Sequence, residues 1–263
     1  YMSQARYFWP DPSKPDGLPY INRDGHSNPE IYLLDRYKLS ETAYRVTTLS
    51  LAYFFTGKEK YAEKAVEFLK VWFLNDETRM NPSLEYAQMI PGHNGGKGRQ
   101  YGILDTYSFV EMLDSVVLLE DSEAFTEEDS AALKKWFSDL LEWICTSPQG
   151  KAESATANNH GTAYDAQVIA FALYSGKEEI ARKVIEDFPQ KRILSQIAPD
   201  GSQPHELSRT RSYHYSHYNL THYIDIFMMS QKLGYDIDDY TFPDGRSFYK
   251  ALEYLIPYIP EDG

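Results

Sequence analysis

The chain has a single cysteine, Cys145, among 263 residues. That excludes an internal disulfide and any metal cluster built on several thiolates, and it leaves the redox compartment open. No apolar run approaches the roughly 18 residues a membrane-spanning helix needs, so no membrane span is expected. Positive charge is also scarce: 26 Lys and Arg against 39 Asp and Glu give a formal net charge of −13. Nucleic-acid binding depends on cations that neutralise phosphates, and this balance argues against it. A polyanionic partner is not excluded, because net charge governs long-range steering while a single cleft can carry the opposite sign. Period-two alternation of apolar and polar residues is almost absent, which argues against a β fold. The chain opens at Tyr1 with neither a methionine nor an apolar leader, and is expected to be a trimmed form of something longer.

Aromatic residues are what the chain has in excess, with 22 Tyr, 13 Phe and 4 Trp. Such flat amphipathic side chains suit helix packing and stacking on sugar rings alike, and for any one of them a place in the core is the ordinary assignment. The length fits one large domain, expected over residues 1–263; it says nothing of oligomeric state. Residues 1–38 are dense in turn formers, with Trp9-Pro10-Asp11-Pro12, Lys14-Pro15-Asp16-Gly17-Leu18-Pro19 and Arg23-Asp24-Gly25, which predicts extended chain and turns. Tyr1, Tyr7, Phe8, Trp9 and Tyr20 would be wasted in a disordered tail, so the segment is expected to be an ordered arm.

From Ser40, an expected N-cap, the residues Ala43, Val46, Thr47, Leu49, Ser50, Tyr53 and Phe54 trace one helical face up to Gly57. A second helix over Lys58–Leu74 follows at once, making an antiparallel hairpin. Residues 75–102 predict a loop. Its Gly95-Gly96-Lys97-Gly98 lacks phosphate-loop spacing and follows no strand, so nucleotide binding is rejected. Further helices are expected at 103–119, 127–145, 160–175, 177–188, 217–233 and 246–258, that at 127 opened by Thr126 and three acids. Repeated helical hairpins joined by polar loops predict an all-α fold, with paired helices curled into an α/α toroid or solenoid.

Two polar stretches stand out. Asn158-Asn159-His160-Gly161-Thr162-Ala163-Tyr164-Asp165-Ala166-Gln167 crowds an amide, an imidazole and a carboxylate into the start of an apolar helix, where backbone N–H groups favour anions. The stretch from His205 to Tyr218 carries Arg209, Arg211, Tyr213 and Tyr215. Taken alone, the first reads as a cap beside a surface imidazole and the second as a solvated helix face. His205, His214, His217 and His222 with Glu206 invite a metal reading. They lack helical ligand spacing, and no His-Glu-x-x-His occurs, so neither a metal nor a cofactor is expected.

The elements Tyr7-Phe8-Trp9-Pro10-Asp11-Pro12-Ser13-Lys14-Pro15-Asp16-Gly17-Leu18-Pro19-Tyr20, Gly102-Ile103-Leu104-Asp105-Thr106, Asn158 to Asp165, and Asp200-Gly201-Ser202-Gln203-Pro204-His205-Glu206-Leu207-Ser208-Arg209-Thr210 occur in that order. Together they resemble the alginate lyase superfamily of polysaccharide lyases, most of all its gut Bacteroides-type members. The resemblance implies an α/α toroid that cleaves an acidic polysaccharide, alginate before other polyuronates, in the periplasm or outside the cell. It also implies a catalytic set of Asn159, His160, Arg209 and Tyr215. Such a set suits β-elimination: an amide and a guanidinium neutralise the uronate carboxylate as it takes on enolate character. An imidazole and a phenol then move the C5 proton and protonate the departing O4. Where proton and leaving group share a face, Tyr215 serves as both base and acid; where they lie on opposite faces, His160 takes the proton.

Substrate-binding candidates are Asn158 and Tyr164 beside the catalytic pair, Lys97, Arg99 and Trp9, and Arg211 and Tyr213 as reserves for Arg209 and Tyr215. Asp105 either orients a functional side chain or caps a helix. Gly161-Thr162-Ala163 replaces the Ser-Tyr-Trp of the best-known mannuronate lyases, and is expected to alter the surface beside the histidine and so the choice of substrate. Two other functions remain as alternatives. A glycoside hydrolase would need two carboxylates, drawn from Asp105, Asp165 and Glu206. A non-catalytic glycan-binding protein would use the aromatic arm.

Overall fold

Helical periodicity over most of the chain becomes helix in the computed structural model, which describes residues 1–259. Residues 260–263 of the expected single domain lie outside the described residues. By contact density the chain divides into two units: Tyr1–Lys151 with Tyr174–Gly176, and Ala152–Leu173 with the chain from Lys177 onward.

In the first unit, α1 (Asp35–Thr56) packs on α2 (Glu59–Leu69) and α3 (Phe109–Val116). α1 starts five residues before the expected Ser40 cap, with no side-chain cap at Leu34, because the chain is already held there by the amide of Asp35 bonding Met2 O at 3.1 Å. It ends where Gly57 takes a left-handed φ of 63° and returns its N–H to Tyr53 O, the backbone state glycine reaches without steric cost. α4 (Glu127–Thr146) opens as expected, Thr126 accepting from Asp129 N at 3.1 Å. Phe73, Phe109, Trp136 and Phe137 interlock at centroid distances of 4.7–6.4 Å, edge to face except for the tilted Phe73–Phe137 pair, forming the aromatic centre of this unit.

The arm is tied down by backbone and side chains. Phe8–Trp9 (β1) pairs antiparallel with Ile21–Asn22 (β2), and Ser3 and Ala5 bond the Tyr86 and Met89 carbonyls at 3.1 and 2.9 Å. Beneath it lies Asp105. This buried carboxylate accepts from Tyr1 Oη at 2.9 Å, Ser3 Oγ, Gln88 Nε2 at 3.1 Å and Arg36 Nε at 3.1 Å. Burial and the Asp105 charge together push the Tyr1 phenol well above its ordinary pKa. Asp105 thus caps no helix, which corrects that half of the expectation; its two oxygens join the arm to the unit and, through Gln88, reach the candidate Arg99.

The second unit is built on α6 (Asn159–Tyr174), reached through α5 (Pro148–Ser154), a short helix the sequence reading missed. Nearly every α6 residue from Asn159 to Ala172 is buried, the behaviour of a helix that is apolar on all sides. α7 (Glu178–Phe188) buries Ala181, Ile185 and Phe188 at the spacing of one helical face. After α8 (Leu194–Gln196) and α9 (Pro204–Leu207), α10 (Ser212–Lys232) contacts α7, α9 and α11 (Phe248–Leu255). α10 begins five residues before the expected start at 217, which brings Tyr213, His214 and Tyr215 onto the helix.

Arg192 locks this unit. It is 2% exposed and spends its guanidinium on three acceptors: Asp165 at 2.7 Å and the carbonyls of Thr156 and Ser154 at 2.8 and 2.9 Å. Lys191 adds a 3.0 Å bond to Asp165. The guanidinium passes so close to α6 that a Cβ on Gly161 would lie 2.2 Å from Nη1 and 2.3 Å from Thr156 O. Gly161 is therefore a packing position. Thr162 and Ala163 are fully buried as well, Thr162 donating to Gln196 Oε1 at 3.0 Å. The segment forms no surface beside the histidine, which corrects the expectation that it sets substrate choice.

Removing the Arg192 charge leaves Asp165 undercompensated in the interior, so Arg192→Met is expected to lower unfolding stability by about 3–5 kcal/mol. Gly161→Ala overpacks the same contact and is expected to cost about 1–3 kcal/mol. Urea unfolding of both variants checks this, and a Gly161→Ala protein as stable as the parent would contradict the close approach.

Candidate active site

The N-terminus of α6 carries the first candidate pair. The sequence reading expects its free N–H groups to receive an anionic ligand, but the protein supplies the anion itself. Glu206 Oε1 accepts the backbone N–H of Asn159 at 2.6 Å, and Glu206 Oε2 accepts Asn159 Nδ2 at 2.7 Å. The next N–H, of His160, is taken by Asn158 Oδ1 at 3.3 Å. Both Asn159 and Glu206 are buried. One hydrogen of the Asn159 amide is thus committed, and its plane is fixed.

Glu206 lies on α9, and the amide of Arg209 bonds its carbonyl at 3.0 Å. The carboxylate that holds Asn159 therefore also ties the second polar stretch to the first across 47 positions. Arg209 lies over the Tyr215 ring, its Cζ 4.0 Å from the centroid, close enough for a cation–π contact that orients both groups. Tyr215 is buried in the first turn of α10, whereas Arg211 is exposed and Tyr213 half-buried. The geometry thus pairs the first-ranked arginine with the first-ranked tyrosine and leaves the reserves outside that pair.

His160 is half-buried. Its Nδ1 is 2.6 Å from Oε1 of Glu153, a residue with no exposed surface near the end of α5. Sequence reasoning missed Glu153 altogether, and missed that Glu206 acts through Asn159. A glutamate seven residues before a histidine has no pattern of its own, since the intervening turn brings the two together. Below them, Gln196 Oε1 accepts from Thr162, Asn219 and Tyr223 at 3.0, 2.9 and 3.1 Å, fixing α6 against α10. Gln196 Nε2 bonds Asn158 O at 3.1 Å. His222 is wholly buried against the Tyr218 ring, and burial lowers its pKa to about 3, so it is neutral.

The remaining candidates are placed as follows. Tyr164 is buried with the Lys191 ammonium 5.9 Å over its ring, a packing role in place of the expected substrate contact. Asn158 is half-buried and spends Oδ1 on the His160 amide. In the first unit, Trp9 donates to His26 O at 2.9 Å with Arg23 over its ring. Lys97 is exposed and paired with Glu85 at 2.8 Å, a bond that raises its pKa. Arg99 bonds Gln88 Oε1 at 3.1 Å, with its Cζ 4.6 Å from the Tyr101 ring centroid and 5.0 Å from that of Phe8. The three carboxylates a hydrolase would draw on are all engaged: Asp105 by the arm, Asp165 by Arg192 and Glu206 by Asn159. Among the described residues no group of three His, Cys, Asp or Glu is placed to hold a metal ion, and no helix is long and apolar enough to cross a membrane.

Burial raises the Glu206 carboxyl above its ordinary pKa, although both Asn159 bonds and the Arg209 guanidinium pull it down. A carboxyl raised in the folded state contributes stability that is present below its unfolded pKa and lost as pH rises through the folded value. Glu206→Gln removes that loss. The stability of the variant relative to the parent is expected to improve as pH rises above the ordinary glutamate value of about 4.3, and urea titrations at several pH values test it; a constant difference would contradict the raised value.

Comparison with known proteins gives this site a context. The family model described as alginate lyase matches residues 1–263. Curated protein sequences give no match. Among solved structures, an alginate lyase from Bacteroides ovatus is 53% identical with a TM-score of 0.97, covering 99% of this chain and 69% of its own. Alginate lyase A1-III from Sphingomonas species A1 is 19% identical with a TM-score of 0.67, covering 92% of this chain and 64% of its own, a likeness of fold alone. A variant of A1-III complexed with a tetrasaccharide is 18% identical with a TM-score of 0.72, covering the whole of this chain and 65% of that one. The chain thus spans about two thirds of the length of these proteins. About 63% of the described residues are helical, and the structures the chain matches are α/α toroids, so the all-α toroid expected from the sequence is the fold class. With a family match over its whole length and a structural relative sharing half its residues, the chain belongs to the alginate lyase family.

Proposed function

We propose that this protein is a polysaccharide lyase that cleaves alginate by β-elimination. The observation that supports the reading is Glu206, whose carboxylate bonds Asn159 and whose carbonyl bonds the amide of Arg209, the residue that lies over Tyr215. Family membership supports the substrate, since both named relatives are alginate lyases.

In this reading the second Nδ2 hydrogen of Asn159 and the Arg209 guanidinium bond the uronate carboxylate, lowering the cost of removing the C5 proton by stabilising charge as it develops. Tyr215 protonates the departing O4. Arg209 over its ring disfavours displacement of the phenol, so the acid stays aimed. Both neutralising groups are side chains of the protein, which leaves no carboxylate charge that an added cation must balance. A polymer the size of alginate does not diffuse through a bilayer, so the place of action is the periplasm or the cell exterior, which cell fractionation checks.

Incubation with alginate in the presence of a chelator is expected to release unsaturated ends that absorb in the ultraviolet; new reducing ends without that absorbance would support hydrolysis instead, and binding with neither would support a glycan-binding protein. Asn159→Ala is expected to lower kcat by about 100- to 1000-fold, the usual cost of one preorganised oxyanion donor. Tyr215→Phe keeps the ring beneath Arg209 but removes the acid, and is expected to lower kcat by at least about 100-fold with little change in KM. Steady-state kinetics on purified variants decides both.

A further inference from the structure

We infer that Glu153 is a positioning residue for His160, holding that imidazole's proton on Nδ1 so that Nε2 carries the lone pair that accepts the substrate proton. The inference rests on the lyase reading above and deepens it by assigning the two proton transfers to two groups. A neutral imidazole has one N–H, and the nitrogen that carries it is decided by the hydrogen bond the ring makes. Here Nδ1 lies 2.6 Å from Glu153 Oε1, a distance typical of a charge-assisted bond. A carboxylate offers no proton in return, so Nδ1 donates and the ring's one hydrogen is not on Nε2.

The surroundings show that this bond is more than an incidental ion pair. Glu153 has no exposed surface, and its Oε2 is buried with no hydrogen-bond partner among the described residues. Half-satisfied buried carboxylates are costly and uncommon, which points to a role served by the other oxygen. Both ends of the pair are also fixed. The Glu153 carbonyl accepts from Thr156 N and Thr156 Oγ1 at 3.1 and 2.7 Å, and the Arg192 guanidinium grips the Ser154 and Thr156 carbonyls that follow. His160 is held from the other side through its amide bond to Asn158. These bonds hold the backbone on both sides of the pair in one path.

The step balances with the residues present. His160 Nε2 takes the C5 proton, and the C5–H pair becomes the C4–C5 double bond. The C4–O4 bond breaks with its pair on O4, which takes the Tyr215 phenolic proton. The imidazolium then loses its new proton to water and the phenolate regains one, restoring both groups. Two separate groups suit uronates whose C5 proton and O4 lie on opposite faces.

The test compares the parent protein with Glu153→Ala and Glu153→Gln, by nitrogen NMR of isotope-labelled histidine and by kinetics on polyuronates. In the parent, His160 is expected to show a protonated Nδ1 and a bare Nε2. Glu153→Ala is expected to shift the ring toward the Nε2-protonated tautomer and to lower kcat by at least about 100-fold, with KM within about 3-fold. Glu153→Gln retains an acceptor oxygen toward Nδ1, because nothing on the Oε2 side dictates the opposite amide orientation, and is expected to keep both the tautomer and more than about a tenth of the activity. An Nε2-protonated His160 in the parent overturns the inference, as does a Glu153→Ala protein with unchanged tautomer and kcat. If the alanine variant does not fold, the parent spectrum and the glutamine variant decide. The expected tautomer in a parent protein inactive on every polyuronate would overturn the lyase reading while upholding the hold of Glu153 on the proton.

Discussion

The Arg192 clamp is the interaction on which the second unit's architecture depends. A guanidinium has a rigid fork of donors, and here the fork meets one carboxylate on α6 and two carbonyls in the turn before it. That turn sets the distance between Glu153 and His160, and the α6 axis sets where Asn159 points. The arrangement is possible only because Gly161 presents no Cβ to the guanidinium. A buried ion pair of this kind adds little net stability against an apolar alternative, but once built it cannot lose one member cheaply. Its effect is to hold a polar helix start in one geometry.

Behind the clamp, each of the two neighbouring candidate residues is backed by its own buried glutamate: Asn159 by Glu206, His160 by Glu153. Ionised side chains in a poorly solvated interior are expensive, and both are offset by hydrogen bonds to the group they orient. The helix start contributes as well, since the partial positive charge of its N–H groups meets the Glu206 carboxylate directly. The anion site read from the sequence is real in its physics and occupied by the chain itself.

Much of the fold was legible. Helical period, the Gly57 stop and the Thr126 cap placed most helices to within a few residues, because amphipathic spacing and caps are local signals. The errors fall where local signals are weak or overridden. α5 and α9 are too short to show a period, and α1 begins before Ser40 because tertiary contacts hold its first turn. Asp105, Tyr164 and Gly161 to Ala163 were read as site residues from their place in a motif, and the structure shows them packed. A motif marks positions that matter without saying whether they touch a ligand or support something that does.

Composition and periodicity alone determined an all-α chain with no membrane-crossing helix among the described residues and no disulfide, and the order of its motifs determined its family. The tertiary structure decided which arginine lies over which tyrosine, which side chains the buried carboxylates bond, and which nitrogen of His160 faces a glutamate. The reason is one of range: helix propensity and capping act over a few residues, whereas the Asn159–Glu206 bond spans 47 positions. The Glu153–His160 bond depends on a turn whose path is fixed from 36 residues away by Arg192.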